Sequence, residues 1–97
     1  MSVEVTDNAG AGRYEVSVDG EPAGGAYYRL EDDRIVFTHT EIDPAYEGQG
    51  LGGQLARGAL DDVRGRGLAV VPLCPFIAGW IRRHPDYADL VSPDFEL

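Results

Sequence analysis

The chain has 97 residues, 43% of them hydrophobic, with one Trp, five Tyr and three Phe. That suits one ordered domain over 1–97 with a single core, and it leaves no room for a separate substrate domain. Eight Arg, no Lys and 17 acidic residues give a net charge of −9 without a basic stripe. Nucleic acid is therefore not an expected partner, and an acidic surface suits a cationic acceptor such as an amine as well as plain solubility. No apolar run approaches the ~20 residues of a membrane span, so no membrane partner is expected. Residues 1–5 lack the pattern of a secretory leader, and a single cysteine agrees with a reducing cytoplasm.

Val3-Glu4-Val5 reads as the start of a strand, and Asn8-Ala9-Gly10-Ala11-Gly12 as a turn. Residues 14–18 alternate with period two, Asp19-Gly20-Glu21-Pro22 is a hairpin signal, and residues 23–30 form the next strand. After a turn at Glu31-Asp32-Asp33, residues 34–42 make the clearest strand. Strict alternation there puts Ile35, Phe37, His39 and Glu41 on one face, and Val36, Thr38, Thr40 and Ile42 on the other. The first half is thus an antiparallel meander.

From Leu51 the period changes. Leu51, Leu55, Ala56, Ala59, Leu60 and Val63 follow helical spacing, Arg64 and Arg66 fall in the last turn, and Gly67 is a suitable C-terminal stop. Residues 68–73 are a short apolar run of the kind buried on both faces, so they should pair in parallel with residues 34–42 through the crossover helix. Pro75 opens a second helix carrying Phe76, Ile77, Trp80 and Ile81 as its apolar stripe, and Pro85 ends it. Residues 86–91 form one more turn, and residues 92–97 are expected to be loose.

The most informative segment is Glu47-Gly48-Gln49-Gly50-Leu51-Gly52-Gly53, a glycine-rich turn between a strand end and a helix start. Glycine lets the backbone approach a ligand with several N–H groups pointing one way, and the helix adds its positive end, so this turn reads as a phosphate site. A tight connection that binds nothing is the plainer alternative, but four glycines carry more chain entropy than a plain turn needs. A mononucleotide loop needs Lys and then Ser or Thr after its last glycine, where Gln54-Leu55 stand. A dinucleotide fingerprint needs a third glycine where Leu55 stands, within a repeated βαβ pattern.

With those motifs set aside, the arrangement resembles the GCN5-related N-acetyltransferase superfamily. Its pyrophosphate loop has Gln or Arg, two residues, Gly, one residue, then Gly or Ala; here Glu47-Gly48-Gln49-Gly50-Leu51-Gly52 carries both terminal glycines, with Glu47 in the first position. Together with His39-Thr40-Glu41-Ile42, Val71-Pro72-Leu73-Cys74-Pro75-Phe76 and His84-Pro85-Asp86-Tyr87, the chain is similar over residues 14–91 to the minimal single-domain acetyltransferase-like family of the YidJ type. The resemblance implies an α/β acetyltransferase-like (GNAT) fold, an antiparallel meander joined to a parallel strand pair with a crossover helix and a C-terminal helix. It also implies acetyl-CoA as cofactor and acetyl transfer to an amine of a small molecule or protein. Ile42, Glu47, Gly48, Gln49, Gly50, Leu51, Gly52, Gly53, Cys74 and Phe76 are the expected coenzyme A contacts.

Acetyl transfer needs a base for the amine and a proton for the leaving thiolate. Glu41 and His39, two apart on one strand, are the candidate bases; the plainer reading leaves Glu41 solvated and His39 hydrogen-bonded within the fold. Cys74 ends the buried strand and precedes a helix, where a thiol can be activated. Three roles remain open for it: acetyl-accepting nucleophile, lining beside the cofactor thiol, or inert core. Trp80 occupies the position where the family usually has Tyr, and an indole N–H donates hydrogen bonds without releasing a proton, so packing is its expected role. Phe76 either packs or touches the pantetheine arm. The competing function class is a non-catalytic CoA-binding or interaction module on the same fold.

Overall fold

The computed structural model describes residues 2–97. Four antiparallel strands, β1 (Val3–Asn8), β2 (Arg13–Val18), β3 (Glu21–Glu31) and β4 (Arg34–Ile42), form the meander, and β5 (Ala69–Pro72) adds to β4 in parallel, giving the order β1-β2-β3-β4-β5. A two-residue Asp19-Gly20 turn with positive φ at both positions joins β2 to β3, so β3 starts at Glu21 rather than at Ala23. Pro22 is tolerated inside it because a bulge interrupts the ladder at that point.

Two helices cover one face. α1 (Leu51–Arg66) crosses the sheet from β1 to β5, and α2 (Pro75–Arg83) lies beside it against β4 and β5. The buried side of α1 consists of Leu51, Leu55, Ala56, Ala59, Leu60 and Val63, the positions the helical period marks. They join Tyr14, Val16, Ile35, Phe37, Val70, Ile77 and Ile81 in one core. Each fully buried Leu, Ile or Val contributes about 1.5–3 kcal/mol over its exposed state.

Three expectations are corrected. First, β4 does not alternate strictly: Tyr27 pairs with His39 but Tyr28 pairs with Phe37, which leaves Thr38 as the extra residue of a bulge. The phase flips there, so Thr40 and Ile42 turn to the helix-covered face with Phe37, while His39 and Glu41 point to the bare face. Second, β5 is not buried on both sides; Val70 and Pro72 are buried, Ala69 and Val71 are half-buried, and Leu73 is 52% exposed where Leu73 N turns back to Val71 O. Third, the tail is tied down. Val91 bridges Val70 in parallel, Ser92 N donates to Val70 O, and Asp94 accepts from Arg34 at 3.2 Å.

A polar network fastens the meander to the end of α1. Tyr14 donates to Asp62 at 2.6 Å and Tyr28 to Asp7 at 2.5 Å, while Arg66 pairs with both carboxylates. Burial first, and the bond to Asp7 second, push the Tyr28 hydroxyl up to about 12; burial and Asp62 raise Tyr14 further. A phenol whose folded pKa exceeds its unfolded value stabilises fully below the unfolded value, about 10, and this stability is lost as pH rises through the folded value. The urea midpoint is therefore expected to fall between about pH 10 and 12, and Tyr28→Phe, starting from a lower midpoint, should show a shallower fall.

Candidate active site

After Ile42 the chain turns through a short 3₁₀ segment, Pro44–Tyr46, capped by Asp43, whose Oδ1 accepts from Ala45 N at 2.9 Å. Glu47 is extended, and Gly48 (φ 81°) and Gly50 (φ 74°) adopt the left-handed conformation that reverses the backbone into α1. Gly50 is the N-cap and offers no side-chain acceptor. The first-turn amides of Leu51, Gly52 and Gly53 thus have neither an intrahelical partner nor a cap, and they start a helix whose dipole favours an anion.

The four glycines do two different jobs. A Cβ at Gly48 or Gly50 would meet nothing within 4 Å, so these two are required by backbone conformation. A Cβ at Gly52 would lie 2.8 Å from Phe76 Cζ, and one at Gly53 would lie 3.6 Å from Trp80 Nε1. Gly52 and Gly53 therefore let α2 approach, which is the structural part of the loop's glycine demand.

A cleft of about 270 Å³ opens over this loop, lined by Ile42, Tyr46, Glu47, Gly48, Gly50, Leu51, Gly52, Gly53 and Phe76. Gln49 is exposed and does not line it. β4 and β5 pair only as far as Phe37 and Pro72, where Cys74 N donates to Phe37 O at 3.0 Å, and then they part. At that parting sits Cys74, 3% exposed, with its Sγ 3.2 Å from Thr40 Oγ1. Phe76, 38% exposed, stands between this point and the loop.

His39 and Glu41 are brought together on the other side of β4, with His39 Nε2 3.3 Å from Glu41 Oε2. Tyr27 donates to Glu41 Oε1 at 3.1 Å, and Arg13 donates to the Tyr27 hydroxyl at 2.8 Å, with Glu15 accepting from Arg13 Nε at 2.7 Å. The hydrogen bond to Glu15, with the Tyr27 bond next, raises the pKa of Arg13, so this guanidinium stays a cation. Glu41 and Ile42 also line a second cleft of about 380 Å³ with Arg13, Glu15, Gly24, Gly25 and Asp43. Ile42 belongs to both clefts, so they lie back to back across the end of β4.

This geometry separates the three catalytic candidates into two sets. The bulge at Thr38 turns His39 away from Cys74, so a His39–Cys74 pair does not form, and Thr40 is the group that touches the thiol instead. Thr40, Tyr27 and Tyr46 escape a sequence reading, because only the bulge brings Thr40 inward and only strand pairing brings Tyr27 beside Glu41. Trp80 is packed as expected, 4% exposed, stacked on His84 at 3.9 Å and edge-on to Tyr87 at 5.0 Å. Among the described residues no group of three or more His, Cys, Asp or Glu is placed to hold a metal ion, and no helix is long and apolar enough to cross a membrane.

The profile of the GCN5-related N-acetyltransferase family matches residues 13–90, and the chain belongs to that family. Among solved structures it is similar to a GCN5-like protein from Staphylococcus aureus, with a TM-score of 0.70 at 20% identity over 95% of this chain and 91% of that one. That likeness is one of fold. It is also similar to the ribosomal-protein-S18-alanine N-acetyltransferase from Escherichia coli, with a TM-score of 0.56 at 27% identity over 60% of this chain. The matched part spans 38% of the Escherichia coli enzyme. No curated protein matches the sequence.

Proposed function

We propose that this chain is a minimal, YidJ-type N-acetyltransferase of the cytoplasm that binds acetyl-CoA along the first cleft and passes the acetyl group to an amine approaching from the second. The observation that carries this reading is the row of uncapped amides at Leu51, Gly52 and Gly53, opening into a cleft that leads to the parting of β4 and β5. The donor set fits the coenzyme: backbone amides and a helix N-terminus for the diphosphate, and the apolar Ile42, Tyr46 and Phe76 for the pantetheine arm. Acetyl-CoA supplies an activated thioester, whose C–S bond breaks as a C–N bond to the amine forms.

The chain's own groups then have distinct tasks. Glu41, oriented by Tyr27 and His39, takes the proton from the acceptor amine. Cys74 and Thr40 line the thiol end of the cleft, and Ile42 separates the coenzyme from the acceptor until the strands part. Trp80 stands where the family usually has Tyr, so a phenolic proton donor for the thiolate is absent at that position, which favours water in that task.

The test is thermal unfolding with acetyl-CoA, followed by CoA release against a panel of small amines and lysine peptides. Saturation at about a hundred times Kd should raise the Tm by about 10 °C or more. Release of CoA with at least one amine supports transfer. A rise in Tm with no release across the panel identifies a coenzyme-binding module, and no rise removes the coenzyme from the reading.

A further inference from the structure

The second cleft is placed by the end of β4, opposite the glycine loop, and its lining decides what can enter it. Its charged lining residues are Arg13, Glu15, Glu41 and Asp43. Arg13, the cation among them, is already engaged. Its Nε and Nη2 meet the Glu15 carboxylate, and its Nη1 donates to the Tyr27 hydroxyl at 2.8 Å, so each of its three nitrogens has an acceptor. Its stem lies over Gly25, where a Cβ would stand 3.1 Å from Arg13 Cδ. A substrate carboxylate entering here would meet three carboxylates and no cation that lacks a carboxylate partner.

Glu41 and Asp43 are placed differently from Glu15. Neither has an arginine within 4.0 Å among the described residues. Alternation along the extended chain sends both to the same side, with Cα atoms about 7 Å apart and Ile42 between them turned the other way. The Asp43 carboxylate is fixed in orientation by Ala45 N, which donates to Oδ1 at 2.9 Å.

The floor beside these groups is backbone. Gly25 pairs with Glu15 on one side and Glu41 on the other, and a Cβ at Gly24 would press on Glu41 O at 2.5 Å. The resulting cleft, about 380 Å³, is of a size for a small molecule.

We propose that the acceptor is a small aliphatic diamine without a carboxylate, its reacting nitrogen at Glu41 and its second, protonated nitrogen paired with Asp43. This rests on the acetyl-transfer reading above. Four or five carbons between the nitrogens match the spacing of the two residues. The reacting nitrogen enters as the neutral amine; its bond to the acetyl carbon forms as the thioester C–S bond breaks, its proton passes to Glu41, and CoA leaves as the thiolate. The product keeps a single ammonium, so the cleft holds it more weakly than the substrate, and a second acetylation is disfavoured.

Titration of the full chain with cadaverine, pentylamine and lysine, followed at the amide resonances of Gly24 and Gly25, reads binding. CoA release and mass spectrometry of the product read transfer. All three ligands share a five-carbon amine chain, but pentylamine lacks the second cation and lysine adds a carboxylate. Cadaverine is expected to bind about three- to tenfold more tightly than either, the effect of one charge-assisted contact near solvent, and the gap should shrink as salt rises. Asp43→Asn keeps an acceptor for Ala45 N and should bring cadaverine down to pentylamine, with circular dichroism confirming the fold. The wild-type product should carry one acetyl group. Equal affinities for cadaverine and pentylamine, lysine bound as tightly as cadaverine, a gap that survives in Asp43→Asn, or a mainly diacetylated product overturns the diamine assignment alone. Selective binding of cadaverine with CoA released by none of the three amines upholds the diamine site and overturns the transfer reading.

Discussion

Glu41→Gln is expected to lower kcat by roughly 10²–10⁴-fold, the usual worth of a general base, while CoA affinity stays unchanged. Gln keeps the size of Glu and still accepts the Tyr27 hydrogen bond, but it cannot take a proton from the amine. The carboxylate is well placed for that transfer. It stands on the bare face at the end of β4, held by Tyr27 at 3.1 Å and beside His39 at 3.3 Å, and it lines the cleft opposite the glycine loop. His39→Ala should cost less, because Tyr27 still orients the carboxylate. Initial rates at saturating and limiting amine, from about pH 6 to about 9, separate the outcomes. The Glu41 side chain is 58% exposed, and a merely solvated carboxylate would tolerate Gln at every pH in that range. Unchanged turnover would therefore return Glu41 to the surface and leave His39 as the remaining candidate base on this strand.

The parts of this fold written in local periodicity are legible in the sequence. Period and cap chemistry alone bound α1 between Leu51 and Gly67, and its buried residues follow from the same period. β4 shows its limits through turn residues on both sides. Its bulge is not legible, because Thr38 is as good a strand residue as its neighbours, and the extra residue becomes visible only in the pairing of Tyr27 with His39 and of Tyr28 with Phe37. That one residue decides which side chains meet Cys74 and which line the cleft on the bare face. The glycine loop is legible as a turn from a strand into a helix start, but the division of labour among its glycines is not. The close packing of Phe76 on Gly52 is a contact between residues distant in sequence, and no local pattern encodes it. The order of the tail is not legible for a similar reason: Val91 and Ser92 are held by β5, not by their own neighbours.

Gly50→Val is expected to abolish the rise in Tm produced by CoA and to weaken CoA binding at least tenfold, with the sheet and both helices preserved. The reason lies in the backbone. Gly50 holds φ at 74° with nothing within 4 Å of where a Cβ would stand, so the substitution makes no clash. Left-handed backbone costs an L-residue about 1–2 kcal/mol, and a β-branched side chain makes the conformation a true outlier. The loop relieves that strain by rotating, which turns the amides of Leu51, Gly52 and Gly53 away from the cleft. Gly52→Val is a poorer test, since its Cβ would press on Phe76 Cζ at 2.8 Å and confound binding with packing. Gly65→Ala serves as the control; it lies within α1 with ordinary φ and open space, so it should raise stability by about 0.5–1 kcal/mol through helix propensity and leave CoA binding alone. Circular dichroism confirms the fold, and the Tm with and without CoA reads the site. An undiminished rise in Gly50→Val would mean that the ligand does not use the start of α1, and the uncapped amides would then serve only to join strand to helix.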